Sequence, residues 1–295
     1  MSKYIKKLLL IILSVLTVIL VSGCTKKEEN NGNIRIVTSF YPIYIMSENI
    51  INGAQNVELS NMTDSYAGCI HDYTLKPADM KKIETANIFI ENGLGLENFN
   101  DKLINSNNNL DIVNSSANIN GLEDEGKLNG HVWTSLSNYI VQIEEITKKL
   151  KEKNPENSEV YQKNSDEYQR KILDLKKKYD DELQGLEGKK AVVLNESFAY
   201  LLNDLKMETI EIHTDHEEST ISAERLKETI NEMKENDINI IIIDKNDNEK
   251  NAETLKKETG AKIYKLDSCL TGNLDKNSYI NSMNENLEVF KKMLK

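Results

Sequence analysis

Between Glu156 and Gln184 the sequence runs without a glycine or a proline. Pro155 stands just ahead of it, where a helix can begin. Apolar and aromatic side chains recur at helical spacing: Val160 and Tyr161, then Tyr168, Ile172, Leu175, Tyr179 and Leu183. Gly185 and the Gly188-Lys189-Lys190 run end it. At a rise of about 1.5 Å per residue the helix would extend roughly 40 Å, the width of a domain. Its polar faces are dense in Lys, Asp and Glu, which excludes a membrane span. A helix this long, with alternating strand and helix signals on either side, reads as a backbone helix joining two lobes.

The first lobe offers strands at Ile34–Val37, Val57–Leu59, Ile88–Ile90 and Leu110–Val113. Helices are expected at Phe40–Ile51, Pro77–Thr85, Leu96–Ile104 and Leu136–Lys151, with Gly121–Gly130 as an acidic loop. After Gly188 the alternation restarts. Strands fall at Ala191–Leu194, Glu208–Ile212, Ile238–Ile243 and Lys262–Leu266. Helices start at Phe198 and cover Ala223–Lys234, Glu253–Thr259 and Tyr279–Leu294. The unbroken isoleucines before Asp244 mark a strand buried on both faces. The fold class is α/β: two lobes, each a mostly parallel sheet with flanking helices, joined by one long backbone helix. The boundaries are 34–153 for the N-terminal lobe, 154–186 for the linking helix and 187–295 for the C-terminal lobe.

Lys3, Lys6 and Lys7 precede an uncharged run from Leu8 to Val21, a basic and an apolar region in the order of a secretory leader. The run ends Val21-Ser22-Gly23-Cys24, which resembles a lipobox. That resemblance implies removal of residues 1–23 and lipidation of Cys24. Residues 24–33 are polar and form a tether. The folded part is therefore expected outside the cytoplasmic membrane, anchored to its outer face by a lipid. The net charge of −11 opposes nucleic acid and anionic lipid surfaces as partners.

Ligands of open α/β sheets bind beyond the carboxyl ends of the strands, and with two lobes the cleft between them is the natural pocket. The residues that fall there are His71 with Asp72, His131, Asn195 with Glu196, His213 and His216, Asp244, and Asp267. All four histidines of the chain lie on these loops. Imidazole and carboxylate together suit Zn²⁺, and also Mn²⁺ or Fe²⁺. The spacing is non-local, so no compact zinc motif adds to this.

Gly68-Cys69-Ile70-His71-Asp72-Tyr73-Thr74-Leu75-Lys76-Pro77-Ala78-Asp79-Met80, Ala86-Asn87 and Glu91-Asn92-Gly93-Leu94-Gly95-Leu96-Glu97 closely resemble the solute-binding lipoproteins of zinc and manganese ABC importers, the zinc-type cluster A-I. His131-Val132-Trp133 resembles that family's second histidine motif, and Ala191–Tyr200 and Asp267 with Leu270-Thr271-Gly272 its C-lobe motifs. The resemblance implies one divalent ion, held in the cleft as cargo and delivered to a permease membrane subunit with its ATPase. His71 and His131 match its first two ligands and Asp267 its acidic one. The third, His or Glu in the family, falls on Asn195, a weak neutral donor. Glu196 beside it is ranked ahead of Asn195, and His216 is an auxiliary candidate. Zinc leads and manganese is the alternative, since the His-rich loop of zinc members is replaced by the short acidic segment Gly121–Gly130. A monomer is expected.

Cys69 lies two residues before His71 and Cys269 two after Asp267. Separate buried thiols, a bridge across the cleft and a thiolate as third ligand are all open readings. A secreted metallohydrolase with Glu196 as base has no supporting motif, and no enzyme is expected. A siderophore or haem binder needs Arg or Tyr clusters that the loops lack. A surface adhesin of the same fold with weakened metal binding is the remaining rival, kept open by Asn195.

Overall fold

The computed structural model describes residues 32–63, 73–124, 126–212 and 221–295. Two four-stranded sheets, every pair parallel, carry the architecture. The first contains β1 (Ile34–Thr38), β2 (Val57–Asn61), β3 (Ile88–Glu91) and β4 (Asp111–Asn114), in the order β2-β1-β3-β4. A short hairpin, β5 (Glu123–Asp124) and β6 (Lys127–Leu128), follows it in the chain. The second sheet contains β7 (Lys190–Val193), β8 (Glu208–Glu211), β9 (Ile240–Asp244) and β10 (Lys262–Leu266), in the order β10-β9-β7-β8. Each order reverses once, between β1 and β3 and between β7 and β9, and such switch points open a crevice beyond the strand ends.

The helices are α1 (Tyr41–Ile51), α2 (Pro77–Glu84), α3 (Asn100–Ser106), α4 (Leu136–Lys153), α5 (Ser158–Glu182), α6 (Ala199–Asp204), α7 (Ala223–Glu235), α8 (Lys250–Thr259) and α9 (Ser278–Met293). Helix α5 is the expected long one, at 25 residues. Pro155 opens a single 3₁₀ turn, Pro155–Asn157, before it. Its buried side chains are Tyr161, Ser165, Tyr168, Ile172, Leu175 and Tyr179. The apolar members repeat as the sequence periodicity requires. Ser165 breaks the pattern and is satisfied by the Thr147 hydroxyl of α4 at 2.9 Å.

Helix α5 packs against α1 and α4 and also against α9, the last helix of the chain. One continuous apolar core results. It takes Ile36 and Ile90 from the first sheet, Val193 and Ile242 from the second, Ile172 and Tyr179 from α5, and Phe290 from α9. The alternate residues Val192, Ile241 and Ile243 face the other way, into a second core closed by Met233 of α7 and Leu255 of α8. The isoleucine run of β9 is thus buried on both faces, as its composition demands.

Two expectations are corrected. The helix expected from Leu96 begins at Asn100. Leu94 and Gly95 both adopt left-handed backbone, and the Glu97 carboxylate reaches back to accept the N–H groups of Asn92 (2.7 Å) and Gly93 (3.0 Å). That tight loop occupies the residues a helical turn would need. Gly93 is required in it, because a Cβ there would lie 2.2 Å from Asn114 Oδ1. The acidic segment Gly121–Gly130 is not merely a loop: β5 and β6 pair antiparallel within it, around left-handed Gly126.

Glu97 is buried, and burial together with the Glu91 charge pushes its carboxyl up to about 7 from an ordinary 4.5. Asn92, whose N–H it accepts, donates through its side chain to Gly130 O at 2.9 Å, the residue before His131.

Two outcomes follow from this packing. Ile172→Ala should lower stability by about 2–5 kcal/mol. Because both sheets share that core, far-ultraviolet circular dichroism and the fluorescence of Trp133, the single tryptophan of the chain, should move in one urea transition. A folded carboxyl raised to about 7 binds more protons than the unfolded one between pH 4.5 and 7. Its destabilising effect is therefore absent below that window, grows as pH rises, and is complete above it at about 3 kcal/mol. Glu97→Gln should flatten that part of the stability profile, measured by denaturation at pH 5, 6, 7 and 8.

Candidate metal centre

The candidate residues within the described chain stand on three segments. His131 immediately precedes a 3₁₀ turn, Val132–Thr134, that leads into α4. Asn195 and Glu196 follow β7, Glu196 opening the 3₁₀ turn Glu196–Phe198. Asp267 follows β10. His71, His213 and His216 lie outside the described residues, as do Cys24 and Cys69. Among the described residues alone, no three His, Cys, Asp or Glu side chains come together closely enough to hold a metal ion.

His131 is 2 % exposed. Its backbone N–H and its Nδ1 both lie 2.9 Å from Asn129 Oδ1. An amide oxygen only accepts, so Nδ1 carries the proton and Nε2 the lone pair. That is the tautomer a metal needs, fixed by the hydrogen bond on the far nitrogen. Asn129 is itself held from four sides. Its N–H donates to Leu122 O and its carbonyl accepts the Tyr200 hydroxyl at 2.6 Å. Its Nδ2 donates to Glu196 O at 3.0 Å, so one amide joins the imidazole to the segment carrying Glu196.

Trp133 joins the same turn to the Asp267 segment. Its ring is fully buried, edge-on to Phe40 at 4.9 Å and tilted against His131 at 5.2 Å. The indole N–H donates to Ser268 O at 2.8 Å. The Trp133 carbonyl accepts the Tyr279 hydroxyl at 2.7 Å, and the Tyr279 ring stacks on Tyr139 at 3.6 Å. An aromatic ring with one donor suits this position, since it fills the core and fixes one backbone oxygen.

Asp267 is 3 % exposed. Asn286 of α9 grips its backbone, accepting from the N–H (2.7 Å) and donating to the carbonyl (2.8 Å). Oδ1 accepts the Cys269 N–H at 2.8 Å. Oδ2 faces Lys245 Nζ at 2.7 Å. Ser268 N–H donates to Asp244 Oδ2 at 2.8 Å, so Asp244 serves the backbone of the loop. Cys269 is a free, buried thiol in left-handed backbone. Burial, and then the Asp267 charge, push it well above the ordinary thiol range, so it is neutral.

Asn195 is engaged elsewhere. Its Oδ1 accepts the Ser197 N–H at 3.0 Å and caps the 3₁₀ turn, while its Nδ2 donates to Asp247 Oδ2 at 2.8 Å. Asp247, whose carboxyl is raised by burial, escapes a reading of the sequence. So do Asn129, Asn286 and Lys245. Asparagines and lysines on loops carry no pattern of their own, although Asn129 could have been suspected from standing two residues before a histidine, within reach of its Nδ1.

Residues 36–293 match the family described as zinc-uptake complex component A, periplasmic. The chain is 28% identical over 307 residues to the zinc-binding lipoprotein AdcA of Streptococcus pneumoniae, covering 97% of this chain and 60% of that protein, so it spans about three-fifths of that relative's length. It is 25% identical over 286 residues to the manganese-binding lipoprotein MntA of Halalkalibacterium halodurans, covering 92% and 93% of the two chains. The crystal structure of the Zn(II)-bound ZnuA-like domain of Streptococcus pneumoniae AdcA superposes with a TM-score of 0.75 at 25% identity, over 88% of this chain and 98% of that one. With nearly the whole folded part matched, the chain belongs to the family of periplasmic component A proteins of zinc-uptake complexes.

Proposed function

We propose that this protein is an extracytoplasmic solute-binding lipoprotein that captures one divalent transition metal ion, zinc ahead of manganese, and delivers it to an ABC permease. The observation that carries the reading is the His131–Asn129–Glu196 link. A buried imidazole is locked in the tautomer whose Nε2 carries the lone pair, and the same amide ties it to a carboxylate-bearing turn of the other sheet. His71, His131, Glu196 and Asp267 form the ligand set. Glu196 takes the third position, because both ends of the Asn195 amide are already engaged. His216 stays an auxiliary candidate.

Two imidazoles with two carboxylates fit tetrahedral zinc better than the oxygen-rich octahedra of manganese. The relatives include proteins named for each metal, which keeps manganese as the alternative. Each ligand must be deprotonated to bind, so affinity falls as pH drops through the histidine range. The ion is cargo, and no catalysis is assigned to the chain. Lipidation of Cys24, removal of residues 1–23, and the lobe boundaries at 153/154 and 186/187 belong to the same reading. Relatives named as lipoproteins support the anchor. The shared core opposes wide lobe opening, so release proceeds by withdrawal of a ligand loop when the permease docks.

Chelator-stripped soluble protein starting at Thr25 should take up one equivalent of zinc. His131→Ala should weaken binding by roughly 100-fold or more, and Asn129→Leu by about 10–100-fold through loss of the fixed tautomer. Isothermal titration with a competing chelator measures all three. Asn195→Ala should leave the affinity within about threefold of wild type while Glu196→Gln weakens it strongly; the reverse pattern would return the third position to Asn195.

A further inference from the structure

Lys245 follows the last residue of β9, and its N–H donates to Leu266 O at 2.7 Å, which fixes its backbone beside the end of β10. Its ammonium reaches Asp267 Oδ2 at 2.7 Å. The two partners differ in freedom. Asp267 is 3 % exposed and held by Asn286 and by the Cys269 N–H, whereas the Lys245 side chain is 42 % exposed. Oδ1 is engaged with the loop backbone, so Oδ2, itself buried, is the oxygen left for a cation. The ammonium stands on that oxygen.

We infer that Lys245 is a tethered counter-ion that occupies Asp267 Oδ2 in the metal-free protein and is displaced when the metal ion arrives. The inference rests on the proposed role of Asp267 as a ligand. A buried carboxylate without a partner is costly, so the metal-free site needs a cation of its own. A divalent ion and an ammonium on one oxygen repel strongly in a partly desolvated loop. The ammonium is the one that can leave, since its stem is flexible and its surroundings open to water. Glu285 on α9, whose charge already acts on Lys245, is an acceptor for the displaced group. Lys245 thereby lowers the net affinity for the metal, stabilises the empty protein and returns to Oδ2 as the ion departs. A residue that merely oriented Asp267 would do the opposite and strengthen metal binding.

The test uses the full mature chain and zinc alone, titrated against a competing chelator. Lys245→Met should bind zinc roughly tenfold more tightly than wild type. Its metal-free form should melt at lower temperature than metal-free wild type, while the zinc-saturated forms melt together. On the wild-type protein, amine-reactive labelling read by mass spectrometry should modify Lys245 several-fold faster with zinc bound than without. Affinity in Lys245→Met equal to or weaker than that of wild type, or labelling that zinc leaves unchanged, overturns the counter-ion and leaves metal capture standing. No binding of zinc or manganese by either protein overturns both.

Discussion

The hydrogen bond from the Trp133 indole to Ser268 O is the contact on which the rest of the site depends. It joins the turn that carries His131 to the loop that carries Asp267, and these come from opposite halves of the chain. Leaving Ser268 O buried and unpaired would cost about 1–3 kcal/mol. The contact is also braced. Tyr279 holds the Trp133 carbonyl and stacks on Tyr139, whose hydroxyl meets that of Tyr168 in α5. A chain of aromatic rings thus runs from the candidate site into the long helix, and a displacement at one end must be absorbed by close-packed groups along it.

That packing changes how the two halves are understood. Read as a sequence, the long helix looks like a lone strut between lobes that each own a core. In the folded chain Ile36 and Ile242 belong to one apolar cluster although they come from different sheets, and α9 returns to pack on α5 and α1. Among the described residues, only the outer face of the second sheet, under α7 and α8, has a core to itself. A single continuous core opposes a wide hinge more strongly than a stiff connector alone would. Loop movement is then the cheaper route for a ligand to enter or leave.

What is legible in the sequence follows from which signals are local. The strands, the long helix and the isoleucine run of β9 are written in hydrophobic period, and those elements match within a few residues. The start of α3 is misplaced because the apolar residues Leu96 and Phe99 fit a helix, while the deciding interaction is the Glu97 carboxylate folding back on two backbone N–H groups. His131 and Asp267 are visible as metal-type residues at strand ends. Asn195 is visible too, but its bond to Asp247 is not, because that bond depends on where β9 ends relative to β7. Asn286 and Lys245 act through residues distant in sequence, and no composition or spacing marks such roles; for Asn129 the spacing of two from His131 is the only hint.

The electrostatics of the Asp267 loop explain why those unmarked residues matter. Asp267 sits where water cannot solvate a charge well, yet a carboxylate that is to meet a cation must remain ionised and aimed. Asn286 fixes its backbone, the Cys269 N–H holds one oxygen, and Asp244 holds the next residue by its N–H. Orientation is thereby settled before any ligand arrives, and the cost of ordering is met during folding rather than binding. The same arrangement leaves one unit of negative charge that folding must neutralise, and Lys245 supplies the opposite sign from a position open to solvent. On the proposed role of Asp267 as a ligand, preorganisation and a displaceable counter-ion are linked: the more firmly Asp267 is held in its buried place, the more the empty site needs a cation, and the more an arriving metal must differ from an ammonium to take it over. A divalent ion with bonds to imidazole as well as carboxylate meets that requirement, and a monovalent one does not.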